Sequence, residues 1–273
     1  MEYSFRIFVP GGNDTALVYG IPQDLEDSSR QAIDTQIRNK HKNVEQVGFV
    51  GLANMENPWL TMAGGEFCGN ATRAAAWFYL QGAPGSARIA VSGVPYKLNA
   101  GVKSLREAWS QMPIKDKKEL DCGTYLVELD GISHIVMMQE KSKQYLDVLS
   151  ENPTKDEETK LKNLAKNILE QFDLLKEPAS GVMFLERFND TMKMHPIVHV
   201  KKTQTLYYET ACGSGTAAVG VVLCSQGAGE DEISIMQPSS KVINVTVRRQ
   251  NSSIYVEIAG IIDVDEHVYS GEL

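Results

Sequence analysis

The distribution of apolar residues predicts a chain that mixes many short strands with a few helices. Short runs of β-branched and aromatic residues recur between turns rich in Gly, Pro, Asn and Asp, which is typical of strands in a folded domain. Strand candidates of this kind are residues 5–9, 17–19, 47–50, 59–62, 233–236, 242–247 and 254–258. This pattern favours a mixed α+β fold.

Three segments have the apolar spacing of helices. Residues 24–41 are polar with one narrow apolar stripe, which predicts a surface helix. Residues 155–175 carry leucine, isoleucine and phenylalanine at helical spacing, with a solvated Lys/Glu face, and Pro178 follows. Residues 71–80 are rich in alanine, open after a glycine-rich turn and are ended by Gly82.

A short motif occurs twice in the chain. Residues 68–72 read CGNAT and residues 212–216 read CGSGT, and an alanine-rich segment follows each copy. A strand candidate and a glutamate, Glu66 or Glu209, precede each copy. Such internal similarity predicts two similar halves. The charged stretch at 113–120 is interpreted as the linker, which gives domains 1–117 and 118–273, and the last strand is free to return to the first lobe.

Each repeated motif places a cysteine at the first turn of a predicted helix. Unpaired N–H groups and the helix dipole at that position favour a thiolate, so we expect Cys68 and Cys212 to have lowered pKa values. The same N–H groups bind a carboxylate. Two such helix ends facing each other form a two-base proton exchanger, in which one thiolate removes a proton from a carbon and one thiol returns a proton to the opposite face. This chemistry inverts a stereocentre.

Composition and charge exclude several other classes of protein. The net charge of −8 argues against a protein held on nucleic acid by general basicity. No apolar run reaches the roughly 18 residues of a membrane span, and no signal peptide is evident. Four cysteines in 273 residues are too few for a disulfide scaffold and favour a reduced, cytoplasmic setting. The other two, Cys122 and Cys224, are interpreted as packing residues.

The motifs around the two cysteines resemble those of the cofactor-independent diaminopimelate epimerase superfamily. Residues 66–72 (EFCGNAT) and 209–216 (ETACGSGT) are similar to its two catalytic signatures, and Asn13 and Gln46 match two of its binding positions. The resemblance covers essentially the whole chain. It implies two pseudo-symmetric lobes, each a β-barrel-like sheet around a central helix. It also implies Cys68 and Cys212 as the acid/base pair, with no pyridoxal phosphate and no metal.

The chain departs from diaminopimelate epimerases where those enzymes hold the distal end of their substrate. The family's Gly-Asn-Pro-His stretch is here 131–134 (GISH), its later Asn is replaced in 179–181 (ASG), and no Arg precedes Cys212. A buried carboxylate without a partner is costly, so diaminopimelate should be rejected. The spacing between Glu209 and Cys212 instead resembles the corresponding spacing in the histidine racemases of opine metallophore pathways. That resemblance implies histidine as the favoured substrate, diaminopimelate or another amino acid as the alternative, and a homodimer.

The resemblance and the motif context together define a candidate substrate site. Glu45 and Glu209 are placed to meet an imidazole or an ammonium group. The substrate-binding candidates are Asn13, Glu45, Gln46, Gly69, Asn70, Glu209, Gly213 and Ser214.

Other classes of function fit the sequence less well. Residues 213–218 formally match a dinucleotide fingerprint, but that signal is weak alone. A thiol redox protein is the alternative of another class, although a Cys-x-x-Cys motif is absent. A small-molecule binding protein without catalysis is a further alternative. His195 and His199 are four residues apart in a predicted strand, with no third ligand evident for a metal.

Overall fold

The chain has a mixed α+β architecture, mostly sheet with few helices, as the apolar pattern predicts. The computed structural model describes residues 1–53, 56–150, 153–189, 191–227, 232–250 and 253–273. The first strands are β1 Glu2–Pro10, β2 Asp14–Tyr19, β3 Val44–Val50, β4 Trp59–Met62, β5 Gly85–Val91, β6 Lys97–Ser104, β7 Glu107–Met112, β8 Ile114–Asp121 and β9 Thr124–Leu129. The others are β10 Ile132–Met137, β11 Ala179–Phe188, β12 Thr191–Val200, β13 Thr205–Tyr208, β14 Ile233–Met236, β15 Val242–Gln250, β16 Ser253–Val264 and β17 Tyr269–Glu272.

Five α-helices are present within the described residues. They are α1 Asp27–Lys40, α2 Gly69–Leu80, α3 Gln139–Leu146, α4 Lys155–Gln171 and α5 Gly213–Ser225. The predicted helix at 155–175 ends early, because Asp173 takes a left-handed conformation (φ 62°) and a 3₁₀ turn, Leu174–Lys176, follows. No described helix is both long and apolar enough to cross a membrane.

Helices α2 and α5 are surrounded by strands. Helix α2 packs against β1, β2, β5, β6 and β7, and helix α5 packs against β9, β10, β11, β15 and β16. Alanine is the commonest residue of α2, and alanine, glycine and valine make up most of α5. These small side chains let sheets approach each helix from several sides. Nearly every residue of each helix is consequently buried, so the helix ends are held in fixed positions within one apolar core.

Strands from late in the chain pair with strands from its beginning. Strand β16 lies antiparallel to β7 and also pairs with β1, with Val256 opposite Met112. Strand β17 pairs with β1, so that Glu272 lies opposite Glu2. These long-range pairings tie the two ends of the sequence to one sheet network, and they bring helices α2 and α5 side by side.

The interpretation of residues 113–120 as a linker is wrong. Residues Ile114–Asp121 form strand β8, which pairs with β9 through most of its length. All of its exposed residues are charged, and they lie on both faces of the strand, so the sequence resembles a polar connection. Backbone pairing with an adjacent strand does not require an apolar alternation, and the composition therefore did not reveal it.

Candidate active site

Cys68 and Cys212 occupy the same structural position in two helices. Each is the N-cap residue, with φ/ψ of −135°/114° for Cys68 and −127°/110° for Cys212. Each Sγ accepts a hydrogen bond from the backbone N–H three residues on, at 3.3 Å and 3.4 Å respectively. In both helices the threonine four residues on donates to the cysteine carbonyl at 2.7 Å. The repeated sequence motif thus has a repeated local geometry.

The two helix N-termini abut each other. A Cβ on Gly213 would lie 3.0 Å from Asn70 Oδ1 and 3.1 Å from Asn70 N, and a Cβ on Gly69 would lie 3.4 Å from the Gly213 carbonyl carbon. The amide Nδ2 of Asn70 donates to the carbonyl of Ala211 at 2.9 Å. Glycine at these positions is therefore required by the close approach of two backbones.

Both thiols line one pocket. The residues around it are Asp34, Arg38, Glu45, Gln46, Val47, Ala63, Gly64, Glu66, Phe67, Cys68, Gly69, Asn70, Ile132, Val198, Val200, Thr203, Thr205, Tyr207, Glu209, Cys212, Gly213 and Ser214. This set brings together the two cysteines and seven of the eight substrate-binding candidates. Asn13 is the exception, because its side chain is fully buried behind the pocket wall.

A chain of hydrogen bonds runs from Cys68 across the pocket. The Cys68 thiol donates to Gln46 Oε1 at 2.9 Å, and Gln46 Nε2 donates to Glu209 Oε1 at 2.9 Å. Glu209 also lies beside Cys212, and its charge is a principal cause of the raised pKa of that thiol after burial. Gln46 and Glu209 therefore connect the surroundings of the two sulfur atoms.

Cys212 has a second polar neighbour on its own helix. Its Sγ lies 3.6 Å from Ser214 Oγ, which lies 2.9 Å from Nε2 of the fully buried His134. Burial lowers the pKa of His134 to about 3, so the imidazole is neutral at physiological pH. His134 thus orients the Ser214 hydroxyl without placing a charge beside Cys212.

Glu45 is fixed by the residue that matches the family's N-terminal binding position. Asn13 Nδ2 donates to Glu45 Oε2 at 2.7 Å, and Asn13 Oδ1 accepts from Thr15 at 2.9 Å. The backbone N–H of Thr210 donates to the same Glu45 oxygen at 3.2 Å, and the Thr210 hydroxyl donates to the other. Asn13 therefore contacts the carboxylate that lines the pocket.

The pocket carboxyl groups hold their protons more tightly than exposed ones. Burial, reinforced by the neighbouring Glu209, raises the pKa of Glu45 from 4.5 to about 8. Burial likewise raises the pKa of Glu66 and of Glu209 from 4.5 to about 7. A shift of that size favours the protonated form by about 3 kcal/mol. At neutral pH the pocket consequently carries much less negative charge than its composition indicates.

The predicted lowering of the thiol pKa values is wrong. Burial is the largest influence on both groups and raises the pKa of Cys68 and of Cys212 well above the ordinary value. The backbone N–H groups at each helix end act in the opposite direction but are outweighed, and the charge of Glu209 adds to the rise. A helix N-terminus lowers a thiol pKa only when desolvation does not exceed its effect.

Asp34 and Arg38 escaped sequence reasoning, because tertiary contacts bring them to the pocket. Both carboxylate oxygens of Asp34, on α1, accept hydrogen bonds from Arg38, which also donates to the hydroxyl of Tyr207 on β13. Glu66 was noted only as part of the repeat, but it is buried against the pocket. The one local signal for the Asp34–Arg38 pair is an Asp that stands four residues before an Arg on an otherwise polar helix.

The remaining cysteines lie outside this pocket. Cys224 is half-buried and packs against the main core, as predicted. Cys122 is exposed in the turn between β8 and β9, so its interpretation as a packing residue is wrong.

Among the described residues no group of three or more His, Cys, Asp or Glu could hold a metal ion. His195 instead contacts Tyr208 at 2.6 Å and Glu186 at 2.8 Å.

Known proteins that are similar to this chain include racemases and an epimerase. A histidine racemase from Fusobacterium nucleatum is 27% identical over 96% of this chain and 95% of its own length. A histidine racemase from Staphylococcus aureus is 27% identical over 80% of this chain and 78% of its own length. The crystal structure of a hydroxyproline epimerase from Agrobacterium vitis, with bound trans-4-hydroxy-L-proline, superimposes with a TM-score of 0.63 at 10% identity. This superposition covers 98% of this chain and 92% of that chain.

The family model and these relatives define an isomerase, and within that class an amino-acid racemase. Residues 2–267 match the family model described as the histidine racemase CntK N-terminal domain, and the chain belongs to that family. The resemblance inferred from the two cysteine motifs is thereby confirmed.

Proposed function

We propose that this protein is a histidine racemase that inverts Cα with Cys68 and Cys212 as a thiol/thiolate pair. The observation that carries the proposal is the placement of two cysteines at identical N-cap positions of two abutting helices, both lining one pocket. The family membership and the two histidine racemases at 27% identity support the reaction and the substrate.

In the proposed reaction one cysteine enters as the thiolate and the other as the thiol. The thiolate accepts the α-proton, so that an S–H bond forms as the Cα–H bond breaks. The opposite thiol then donates its proton to the other face of the carbon and becomes the thiolate. Proton transfer of this kind supplies about 10²- to 10⁴-fold acceleration, which is too little for so weak a carbon acid.

Stabilisation of the substrate carboxylate is the second part of the proposal. The first N–H groups of α2 and α5 lie next to the cysteines, at Gly69, Asn70, Gly213 and Ser214. A carboxylate held there would be stabilised as it gains enediolate charge, through donors that need no reorganisation. Since the Asn70 side chain already bonds to Ala211 and Arg73, its backbone N–H is the group we assign to the substrate.

We infer that substrate binding itself creates the thiolate, because burial raises the pKa of both thiols. An amino acid brings an ammonium group, and a positive charge near a buried thiol lowers its pKa. We assign the ammonium group to Glu45 and Glu209, whose carboxyl groups line the pocket and ionise when a cation arrives. Asn13 and Gln46 act in this proposal by holding these carboxyl groups in place.

The substrate side chain is assigned to the end of the pocket lined by Asp34, Arg38 and Tyr207. Asp34 neutralises Arg38, and both of its carboxylate oxygens accept hydrogen bonds from that side chain. This end of the pocket therefore offers polar contacts without an unpaired charge. A neutral imidazole, which has one donor and one acceptor nitrogen, suits such surroundings. An acidic side chain or the charged distal end of diaminopimelate does not.

Several predictions from the sequence belong to this proposal and stay predictions. They are the two pseudo-symmetric lobes with residues 1–117 and 118–273, independence of pyridoxal phosphate and metal in this chain, a cytoplasmic homodimer, and a role in metallophore biosynthesis.

A panel of amino acids tests the proposed substrate. The purified protein, dialysed against chelator and given no cofactor, is incubated with each L-amino acid and with diaminopimelate, and the enantiomers are separated by chiral chromatography. We expect D-histidine to form fastest. Turnover of diaminopimelate with no turnover of histidine would contradict the assignment of the side-chain end.

A further inference from the structure

Arg73 is a charged residue enclosed in the core of the protein. It lies on α2, just over one turn beyond Cys68, and its side chain is 0% exposed. Arginine is almost never fully buried unless it is paired, because moving a charge out of water is costly. The buried guanidinium of Arg73 therefore needs neighbouring groups that stabilise its charge.

No carboxylate pairs with Arg73 in the part of the chain that the structure describes. Its Nη2 donates to Asn70 Oδ1 at 2.8 Å, and its Nε and Nη1 have no hydrogen-bond partner among the described residues. Strand β16 packs close to it, since a Cβ on Gly260 would lie 3.1 Å from Nη1. Burial lowers the pKa of Arg73 to about 10, so the guanidinium still carries its charge at neutral pH.

The bond to Asn70 connects Arg73 to both catalytic helices. Asn70 uses its Oδ1 to accept from Arg73 and its Nδ2 to donate to the carbonyl of Ala211, the residue before Cys212. The guanidinium thus fixes the orientation of an amide that bridges the N-termini of α2 and α5. Loss of this orientation would loosen the relative placement of the two thiols.

We propose that Arg73 is a positioning residue that holds the two helix ends together and balances the negative charge of the thiolate at Cys68. The inference rests on the proposed thiol/thiolate pair and deepens it. The charges of the occupied site support it: the thiolate, the substrate carboxylate and the ionised pocket carboxyls are negative, and the substrate ammonium supplies only one positive charge. Arg73 supplies a second positive charge beside Cys68 and so reduces the net negative charge of the buried site.

The test compares Arg73→Gln, which keeps an amide donor but removes the charge, with Arg73→Lys, which keeps the charge. Iodoacetamide alkylation of Cys68 is followed against pH by peptide mass spectrometry, with the exposed Cys122 as the internal reference. Tyr79→Phe is the matched control, because it removes a buried hydroxyl from α2 without changing charge. Arg73→Met replaces Arg73→Gln if the latter does not fold.

We expect Cys68 in R73Q to react about tenfold more slowly than in the wild type at a fixed pH, which corresponds to a rise of about one pKa unit. R73K and Y79F should keep the wild-type profile relative to Cys122. Histidine racemisation by R73Q should show a lower kcat with little change in KM. An unchanged Cys68 profile in folded R73Q, or an equal shift in R73K, would overturn the inference. Alkylation needs no turnover, so its outcome is independent of the substrate assignment.

Discussion

At the scale of single residues, the proposed racemisation needs one thiolate that acts as a base and one thiol that acts as an acid on the same carbon. Cys68 and Cys212 are chemically equivalent by position, but their neighbours differ. Cys68 donates to the amide of Gln46, whereas Cys212 lies beside the carboxyl of Glu209 and the hydroxyl of Ser214. In the proposed reaction each enantiomer gives its proton to a different thiolate, and the two thiolates therefore have different polar neighbours.

Replacing either cysteine by serine should abolish racemisation. A hydroxyl is a far weaker acid than a thiol, so Cys68→Ser or Cys212→Ser leaves one face of the carbon without a usable base. We expect at least about a 10³-fold loss of kcat/KM for each, measured by chiral chromatography with histidine. Cys122→Ser, in an exposed turn, is the control and should retain full activity. Full turnover by either single catalytic variant would exclude the two-base assignment.

At the scale of secondary-structure elements, α1 closes one end of the pocket. Its residue Arg38 contacts Tyr207 on β13, and Asp27 near its start pairs with Lys202 in the turn between β12 and β13. The helix is polar and would be marginal by itself, so side-chain bonds to strands from the second half of the chain fix its position. In the proposed function, this surface helix thereby contributes to substrate selection.

Asp34→Asn should change the substrate preference. The substitution removes the charge that neutralises Arg38, and the unpaired guanidinium then attracts an acidic side chain. We expect the ratio of kcat/KM for glutamate to that for histidine to rise by about tenfold or more. Lys40→Gln, which removes an exposed charge from the same helix outside the pocket lining, is the matched control. An unchanged ratio in D34N would refute the assignment of this end to the side chain.

The elements near the cysteines were predictable because their signals are local. The alanine-rich segment after Cys68 and the strand Trp59–Met62 follow from composition and bounding turns, and both lie where the pattern placed them. Strand β8 was missed because its pairing depends on a partner strand and not on its own alternation. The Asp34–Arg38 pair and the raised thiol pKa values were missed because burial is a property of the assembled fold.

At the scale of the whole molecule, the pocket's buried acids make stability depend on pH. Stability should fall as the pH rises from about 6.5 to about 8.5. Unfolded carboxyl groups lose their protons near 4.5, whereas Glu66 and Glu209 keep theirs to about 7 and Glu45 to about 8. The folded state therefore binds more protons in this range, and raising the pH favours unfolding. His134 has the opposite effect, but only below its unfolded pKa of 6.5.

Urea denaturation at several pH values checks this dependence. Glu66→Gln should flatten the decline above pH 6.5, because it removes one of the three groups that hold a proton only when folded. Glu186→Gln is the control, since bonding to His195 lowers the pKa of that carboxyl and places its effect at lower pH. A stability curve that is level across this range, or an equal slope in E66Q, would contradict the burial argument.

The most direct test of the central claim is the isotope pattern of histidine racemised in D₂O without added cofactor. Two distinct proton donors predict that D-histidine formed from L-histidine carries solvent deuterium at Cα from the first turnover. The unreacted L-histidine should stay protonated at early times. A single shared base would instead return the original proton to a measurable share of the D-histidine. That result, or the absence of any exchange at Cα, would contradict the two-cysteine account.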